Sequence, residues 1–296
     1  MKPQRVFAML AVAAALNSGM LAVSLAAASR RSPLVITFLD VGQGDAAVVQ
    51  TPAGHVMLID TGGIHPEGDN EGRRTVAPFL RYRGIWRTDV MILTHPHLDH
   101  IGGAALVLSQ FPDRVVIDDS VDESLPQVQQ IRREAASDNA AYLTAAPGEQ
   151  IDFGDGVVAH ILGPTALEEM GTPNNASVVV RLTYGRTAVL FMGDAEAPEE
   201  QELLASGQAL GCNVLKVGHH GSKTSSTPEL LARAHPQVAV ISVGAHNRYG
   251  HPSPSVVRRL NQDGIRVYRT DINGAVRCTS DGATITATPM QRSPHA

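Results

Sequence analysis

Short apolar runs recur along the chain after residue 33, separated by glycine, proline, asparagine and aspartate. Short runs rich in β-branched residues are typical of strands, and longer amphipathic runs are typical of helices. In the first half, the predicted strands cover residues 35–39, 46–51, 56–60, 90–94 and 115–118. The predicted helices of this half cover residues 75–83, 101–110 and 127–136. The sequence Thr51-Pro52-Ala53-Gly54 predicts a hairpin between the second and third strands.

The second half repeats this pattern. Its predicted strands cover residues 157–162, 177–183, 187–192, 214–217, 238–243, 266–269, 275–279 and 283–287. Its predicted helices cover residues 198–206, 228–234 and 254–264. Thr227 and Ser253 are expected to cap the last two helices, because each precedes a proline. Hairpins mixed with single helices predict one α/β domain over residues 34–290, with helices covering two stacked sheets.

The first 28 residues follow a different pattern. Lys2 and Arg5 precede an apolar stretch that ends at Ala26-Ala27-Ala28, which is the layout of a secretory signal peptide. The stretch also approaches the roughly 20 residues that cross a bilayer, so an uncleaved N-terminal anchor is the alternative. Residues 1–28 therefore predict a secreted, periplasmic or extracytoplasmic membrane-anchored protein. Membrane association is expected through this segment only.

Composition limits the range of partners. The chain has 24 Lys and Arg against 29 Asp and Glu, a net charge of −5, so an enzyme acting on DNA needs a local basic groove. Aromatic residues make up only 4%, which argues against a broad base-stacking platform. Candidate basic residues are Arg132, Arg133, Lys223, Arg248, Arg258 and Arg259, with a second cluster at Arg73, Arg74, Arg81 and Arg83. Cys212 and Cys278 make no disulfide framework; they form either one disulfide or two buried thiols.

Four candidate metal ligands follow the predicted strand 90–94 within six residues. They are His95, His97, Asp99 and His100. Imidazole nitrogen and carboxylate oxygen suit zinc and neighbouring divalent metals, and so many polar groups are hard to bury without such a partner. His95 and His97 project to one side of an extended backbone, while Asp99 and His100 begin a helix. Two ligand pairs facing one cavity predict a site for two metal ions.

The motif His-x-His-x-Asp-His after an apolar strand resembles the metallo-β-lactamase superfamily. Further motifs at residues 38–45, 59–63, 192–194, 215–222 and 249–252 narrow the resemblance to the hydrolase domain of ComEC-type competence proteins. It covers residues 34–280 and implies a four-layer αββα sandwich with metals at one edge. The predicted catalytic domain is therefore a free-standing relative of that hydrolase domain.

The resemblance also implies roles for individual residues. His95 and His97 would bind the first metal, Asp99 and His100 the second, and Asp194 would bridge both. His219 would complete the second site, with His220 as its rival. Asp60 would orient ligands rather than bind metal. Members of the superfamily usually have another histidine ligand at the first metal. This chain lacks it, and Asn175, with Asn174 beside it, occupies the corresponding region. Manganese is therefore as consistent with the site as zinc, because oxygen-rich sites favour harder metals.

Two further residues complete the predicted site. Lys223 lies in a Gly- and Ser-rich loop that can hold a phosphate, and His251 can donate a proton to a leaving oxygen. A water between two divalent ions becomes a hydroxide nucleophile near neutral pH, with Asp99 orienting it. The expected function is an exported phosphodiesterase or nuclease acting on DNA or another phosphodiester. The alternatives are a small-molecule metallohydrolase, such as a phosphocholine esterase, lactamase or lactonase, and a non-catalytic metal-binding scaffold.

Overall fold

The computed structural model describes residues 32–165 and 172–290. In chain order, strands β1 to β15 cover Leu34–Phe38, Ala47–Gln50, Val56–Ile59, Val90–Ile92, Val115–Asp118, Ala141–Thr144, Gln150–Asp152, Val157–Ile161, Val180–Tyr184, Thr187–Phe191, Val214–Lys216, Val238–Ile241, Arg266–Arg269, Val276–Ser280 and Ile285–Pro289. Helices α1 to α8 cover Ala77–Tyr82, Leu98–Ile101, Ala104–Gln110, Pro126–Ser137, Ala197–Ala205, Pro228–Ala234, Pro254–Gln262 and Thr270–Asn273. A π-helical turn, Gly72–Val76, precedes α1, and short 3-10 turns cover Pro173–Ala176 and Gly218–Gly221.

The strands form two mixed sheets. The first sheet has the order β15-β14-β1-β2-β3-β4-β5-β6, and the second has the order β13-β12-β11-β10-β9-β8-β7. Strands β3 to β6 run parallel to one another, as do β10 to β13. Strand β1 pairs antiparallel with β14, so the last strands of the chain complete the first sheet. Each sheet therefore has a parallel half whose strands end at a common edge.

Three apolar layers hold the sheets and helices together. The central layer lies between the sheets, where the Phe38 and Phe191 rings are 5.6 Å apart. A second layer packs α1, α3 and α4 on the outer face of the first sheet, with Leu80 and Leu108 fully buried. The third packs α5, α6 and α7 on the outer face of the second sheet. This confirms the four-layer αββα sandwich.

Several local details differ from the sequence prediction. Strands β6 and β7 were not predicted; both are short, mostly exposed strands at an edge of their sheets. The helix expected over 101–110 is two helices, α2 and α3, which are separated by Gly102 and Gly103. Thr227 caps α6 by accepting the Leu230 N–H, whereas the Ser253 hydroxyl pairs with Ser255 instead of capping α7.

The two cysteines lie in different apolar layers and are both buried free thiols. The predicted signal peptide or anchor, residues 1–28, lies outside the described residues. Within 32–165 and 172–290, no helix combines the length and apolar character needed to cross a membrane.

Candidate metal centre

The carboxyl ends of parallel strands from both sheets meet at one edge of the sandwich. His95 follows β4, Asp194 follows β10, and His219 and His220 follow β11. Loops at this edge of open α/β sheets commonly carry binding residues. The edge opens into a cleft of about 380 Å³. The residues that line the cleft are Gln43, His97, Leu98, Asp99, Asp194, His219, His220, Tyr249 and His251.

Three fully buried side chains, His95, His100 and Asp194, form the centre of the site. Asp194 Oδ1 lies 3.2 Å from His100 Nε2, and Asp194 Oδ2 lies 3.8 Å from His95 Nε2. The side chain of His97 is more exposed, and its Nδ1 lies 3.0 Å from His95 Nε2. The structure therefore brings together the predicted residues His95, His97, His100 and Asp194.

A second group consists of Asp99, His100 and His220. His220 Nε2 lies 3.3 Å from Asp99 Oδ2 and 3.7 Å from Asp194 Oδ1. His219 was expected in this place, but its Nε2 lies 3.7 Å from the other Asp194 oxygen, Oδ2. The sequence left the choice between the two histidines open; in the structure His220 stands beside Asp99, and His219 stands on the other side of Asp194. The reason is the left-handed backbone at both histidines, with φ of 45° and 51°, which sends the two rings in different directions.

Asp60 lies behind the cluster rather than within its opening. Its carboxylate accepts hydrogen bonds from the Thr94 N–H and the Thr94 hydroxyl, both at 2.8 Å. Asp60 Oδ2 also lies 2.8 Å from His100 Nδ1. These bonds hold the His100 ring with Nε2 towards Asp194. Carboxylates that contact the far nitrogen of a ligand histidine set its orientation and tautomer.

A buried ion pair between Lys216 and Asp45, which the sequence prediction missed, also supports the site. Lys216 Nζ lies 2.5 Å from Asp45 Oδ2, and both side chains are almost fully buried. Asp45 Oδ1 lies 3.5 Å from His220 Nδ1, and the Asp45 N–H donates to the Asp99 carbonyl at 3.2 Å. The available signal was a lone lysine inside the apolar strand β11, because a buried cation requires a nearby anion.

Gly44 allows this close approach of the two loops. A Cβ atom there would lie 2.2 Å from the Asp99 carbonyl oxygen, and its φ of +143° favours glycine. The loop after β1 therefore lies against the residues of the site.

The charges of the cluster reinforce one another. Burial would lower the pKa of His100, but the Asp194 and Asp60 carboxylates outweigh it and hold that pKa well above its usual value. Burial is likewise outweighed at His220, where Asp194 contributes to raising the pKa to about 10. At His95, burial and the neighbouring His100 lower the pKa well below its usual value. The Asp194 pKa is held well below its usual value by His100 and His220 despite burial. The Asp194 carboxylate is therefore ionised, the form that would bind a metal ion.

The donor set fits divalent metal ions. His100 Nε2, Asp194 Oδ1 and His220 Nε2 are buried, and none makes a hydrogen bond of ordinary geometry with a described residue. Leaving such atoms without a partner is costly, and a cation between them would satisfy all three. Imidazole nitrogen and carboxylate oxygen are the ligands that zinc, manganese and iron accept. Groups of this kind recur in overlapping sets around Asp194 and His100.

His251 lies in the wall of the cleft. Its ring centre is 5.5 Å from that of His219, and it stacks on Tyr249 with an interplanar angle of 14°. Asn247 accepts the His251 N–H through Oδ1 and donates to the His251 carbonyl through Nδ2. The loop is therefore held so that the imidazole faces the space beside the cluster.

The remaining predicted residues lie further from the opening. Asn175 is buried, and its Oδ1 accepts the Glu196 N–H at 3.1 Å, so it supports the loop after Asp194. Lys223 is exposed and does not line the cleft. Glu196 was not predicted, yet its Oε1 lies 3.0 Å from His219 Nδ1. No spacing rule connects Glu196 with His219, since the chain brings them together only through the β10 and β11 loops.

Comparison with known proteins agrees with this geometry. Residues 39–246 match the family model described as "Metallo-beta-lactamase superfamily". The chain belongs to the metallo-beta-lactamase superfamily. The matched range contains every candidate metal ligand from His95 to His220. The His/Asp clusters and the fold are those of a metal-dependent hydrolase.

Curated relatives include competence proteins. "ComE operon protein 3" of Bacillus subtilis is 34% identical over 254 residues, which cover 82% of this chain and 32% of that protein. "Competence protein ComA" of Neisseria gonorrhoeae is 32% identical over 243 residues, 82% of this chain and 32% of that protein. The chain thus spans about a third of these relatives. Among solved structures, the metallo-beta-lactamase fold protein YhfI of Bacillus subtilis aligns with a TM-score of 0.55 at 11% identity, covering 86% of this chain and 100% of YhfI.

Proposed function

We propose that the chain is an extracytoplasmic phosphodiesterase that acts on nucleic acid. The observation that carries the proposal is the buried His/Asp cluster at the edge of both sheets, beside a cleft lined mainly by histidine and aspartate side chains. The similarity to a protein named for competence favours DNA as the polymer. The apolar segment within residues 1–28 supports export. Cell fractionation tests that part, since a cytoplasmic protein would contradict it.

Two divalent cations, zinc or manganese, are proposed to bind between the two ligand groups. His95, His97 and Asp194 would hold one ion, and Asp99, His100, His220 and Asp194 the other, with His219 facing Asp194 from the opposite side. Bound divalent ions lower the pKa of a coordinated water and stabilise negative charge on phosphoryl oxygens.

The chain's own residues would orient the substrate and move the protons. The Asp99 side chain is 34% exposed and faces the cleft, so its carboxylate can orient the attacking water and accept a proton. His251 stands in the same cleft and would hydrogen-bond the leaving oxygen. Asp60, Asp45 and Lys216 touch no substrate; they hold the imidazoles of His100 and His220 in place.

The test compares substrates with the full chain loaded with manganese or zinc. We expect hydrolysis of bis-p-nitrophenyl phosphate and of DNA, and no turnover of nitrocefin. Asp99→Asn should lower phosphodiester turnover by at least about 100-fold because a positioned acid-base group is lost. Asp138→Asn, at the exposed end of α4, is the matched control and should retain activity.

Two outcomes would contradict the proposal. Turnover of nitrocefin alone would indicate a small-molecule hydrolase. Stoichiometric metal binding without turnover of any substrate would indicate a metal-binding scaffold.

A further inference from the structure

A strongly basic segment runs from Gly72, which packs against Gly103, to the amino end of β4. Between Glu71 and Asp89 the chain contains five arginines and no Asp or Glu, in a protein whose net charge is −5. The arginines are Arg73, Arg74, Arg81, Arg83 and Arg87. The segment forms the π-helical turn, α1 and the turn that leads to β4. A local positive field therefore exists on a surface where the overall charge predicts none.

The same segment exposes two large aromatic side chains. Tyr82 is 80% exposed and Trp86 is 69% exposed. Packing of the core does not require these two aromatic side chains, because Leu80 and Ile85 already anchor this segment in the apolar layer on the first sheet. The Ile85 N–H donates to the Leu80 carbonyl, which closes the turn between the two aromatics. We call Tyr82, Trp86 and the five arginines the basic-aromatic surface.

Most of the positive charge on this surface is not neutralised within the protein. Arg81 donates to Gln110, and Arg83 donates to Gln50 at 3.0 Å; both partners are uncharged. Arg73 and Arg74 share one carboxylate, that of Asp69. Arg87 is exposed and makes no ion pair with a described residue. Two of the five guanidinium groups therefore share one carboxylate, and the other three make no ion pair with a described residue.

We infer that the basic-aromatic surface binds single-stranded nucleic acid. Unstacked bases pack on exposed aromatic rings, and arginines beside them bind the phosphates of the backbone. Duplex DNA hides its base faces and offers no such stacking. The inference deepens the proposed function because it names the form of the polymer, yet binding at this surface requires no metal.

The position of the surface predicts what it contributes. Trp86 and Arg87 precede the amino end of β4, whereas His95 follows the carboxyl end, and six residues of extended chain from Asp89 to His95 span about 20 Å. A long strand can contact both places, but a small phosphodiester cannot. The surface should therefore affect binding of long single strands and leave turnover of bis-p-nitrophenyl phosphate unchanged.

Trp86 is the only tryptophan of the chain, so intrinsic fluorescence reports directly on this surface. The full chain is titrated with oligothymidylate in EDTA. We expect quenching of the Trp86 emission and an affinity that falls steeply as salt is raised. A labelled oligothymidylate gives the affinities of variants by anisotropy.

The variants separate stacking from charge. Tyr82→Ala should weaken binding about tenfold, whereas Tyr82→Phe keeps the ring and should bind like the wild type. Arg87→Ala should weaken binding and reduce the salt slope by about one. Arg233→Ala, which removes an exposed arginine on α6, is the control and should change neither.

The inference is overturned if oligothymidylate does not quench Trp86, if duplex DNA or anionic vesicles compete equally well, or if Tyr82→Ala binds normally. These results are independent of the proposed activity. Hydrolysis with no binding at this surface rejects the surface alone, and binding without hydrolysis rejects the activity alone.

Discussion

At the scale of single residues, the arrangement of His219 and His220 determines what the cluster can bind. The two adjacent rings face different oxygens of Asp194, and only His220 also approaches Asp99. His220 is fully buried, and its Nδ1 lies 2.9 Å from the Ser242 carbonyl, an arrangement that leaves Nε2 for a metal. His219 Nδ1 lies beside the Glu196 carboxylate instead. The two histidines are therefore not interchangeable.

Removing either ring should affect metal binding unequally. His220→Ala should weaken binding of one metal ion by about 100-fold or more, because it deletes a buried ligand whose supporting contacts are already in place. His219→Ala should have a smaller effect. Metal content after dialysis and competition with a chelating dye measure both, with the exposed His246→Asn as control. Greater loss of metal in His219→Ala than in a folded His220→Ala would contradict this assignment.

At the scale of elements, a buried carboxyl group lies where a loop leads into a strand of the first sheet. Asp113, just before β5, accepts a hydrogen bond from the Thr88 hydroxyl just before β4. Its other oxygen, Oδ2, is buried without a hydrogen-bond partner among the described residues. Burial and the nearby Asp89 raise the pKa of Asp113 to about 8. The carboxyl is therefore neutral in the folded protein over much of the range in which an unfolded chain ionises it.

This pKa predicts a pH-dependent stability that Asp113→Asn removes. The folded chain holds the proton more tightly than the unfolded chain, so the contribution is complete below about pH 4 and is lost as pH rises through about 8. The free energy of unfolding of the wild type should fall relative to the variant by at most about 1.4 kcal/mol per pH unit in this window. Urea unfolding at several pH values measures it. Asp122→Asn, an exposed carboxyl, is the control. The prediction would be contradicted if the free energies of unfolding of the wild type and of Asp113→Asn changed equally with pH.

At the scale of the whole molecule, the cluster joins the two sheets. His95 and His100 follow β4 of the first sheet, whereas Asp194 and His220 follow β10 and β11 of the second. Between the sheets lies an apolar layer centred on Phe38 and Phe191, which holds these edges side by side. A metal ion at the edge would bind only the folded arrangement, since separated sheets do not form the ligand set.

Metal should therefore raise the thermal stability of the entire domain. At a free metal concentration about 100 times the Kd, the expected gain is about 2.7 kcal/mol. Thermal unfolding with added manganese or zinc, compared with EDTA, measures the shift in Tm. Asp99→Asn should reduce the shift, and His246→Asn should preserve it. Equal Tm values with metal and with EDTA would show that the cluster does not bind metal across the sheets.

Local sequence was sufficient for most of the elements and for the family. Apolar runs such as Val214–Lys216 and proline-led helices such as α6 form where their own residues favour them, and the motif His95 to His100 places four side chains within six positions. The short, half-exposed strands β6 and β7 were missed, because their pairing with β5 and β8, rather than their own pattern, makes them strands.

Contacts between distant segments required the tertiary structure. It decided that His220 rather than His219 stands beside Asp99, that Lys216 neutralises Asp45, and that Glu196 faces His219. These partners lie on different strands, and their distances depend on how the two sheets stack. The sequence alone determined which donor atoms the chain possesses. The packing of the sheets decided which of those atoms face one another, because that packing brings together the ends of β4, β10 and β11.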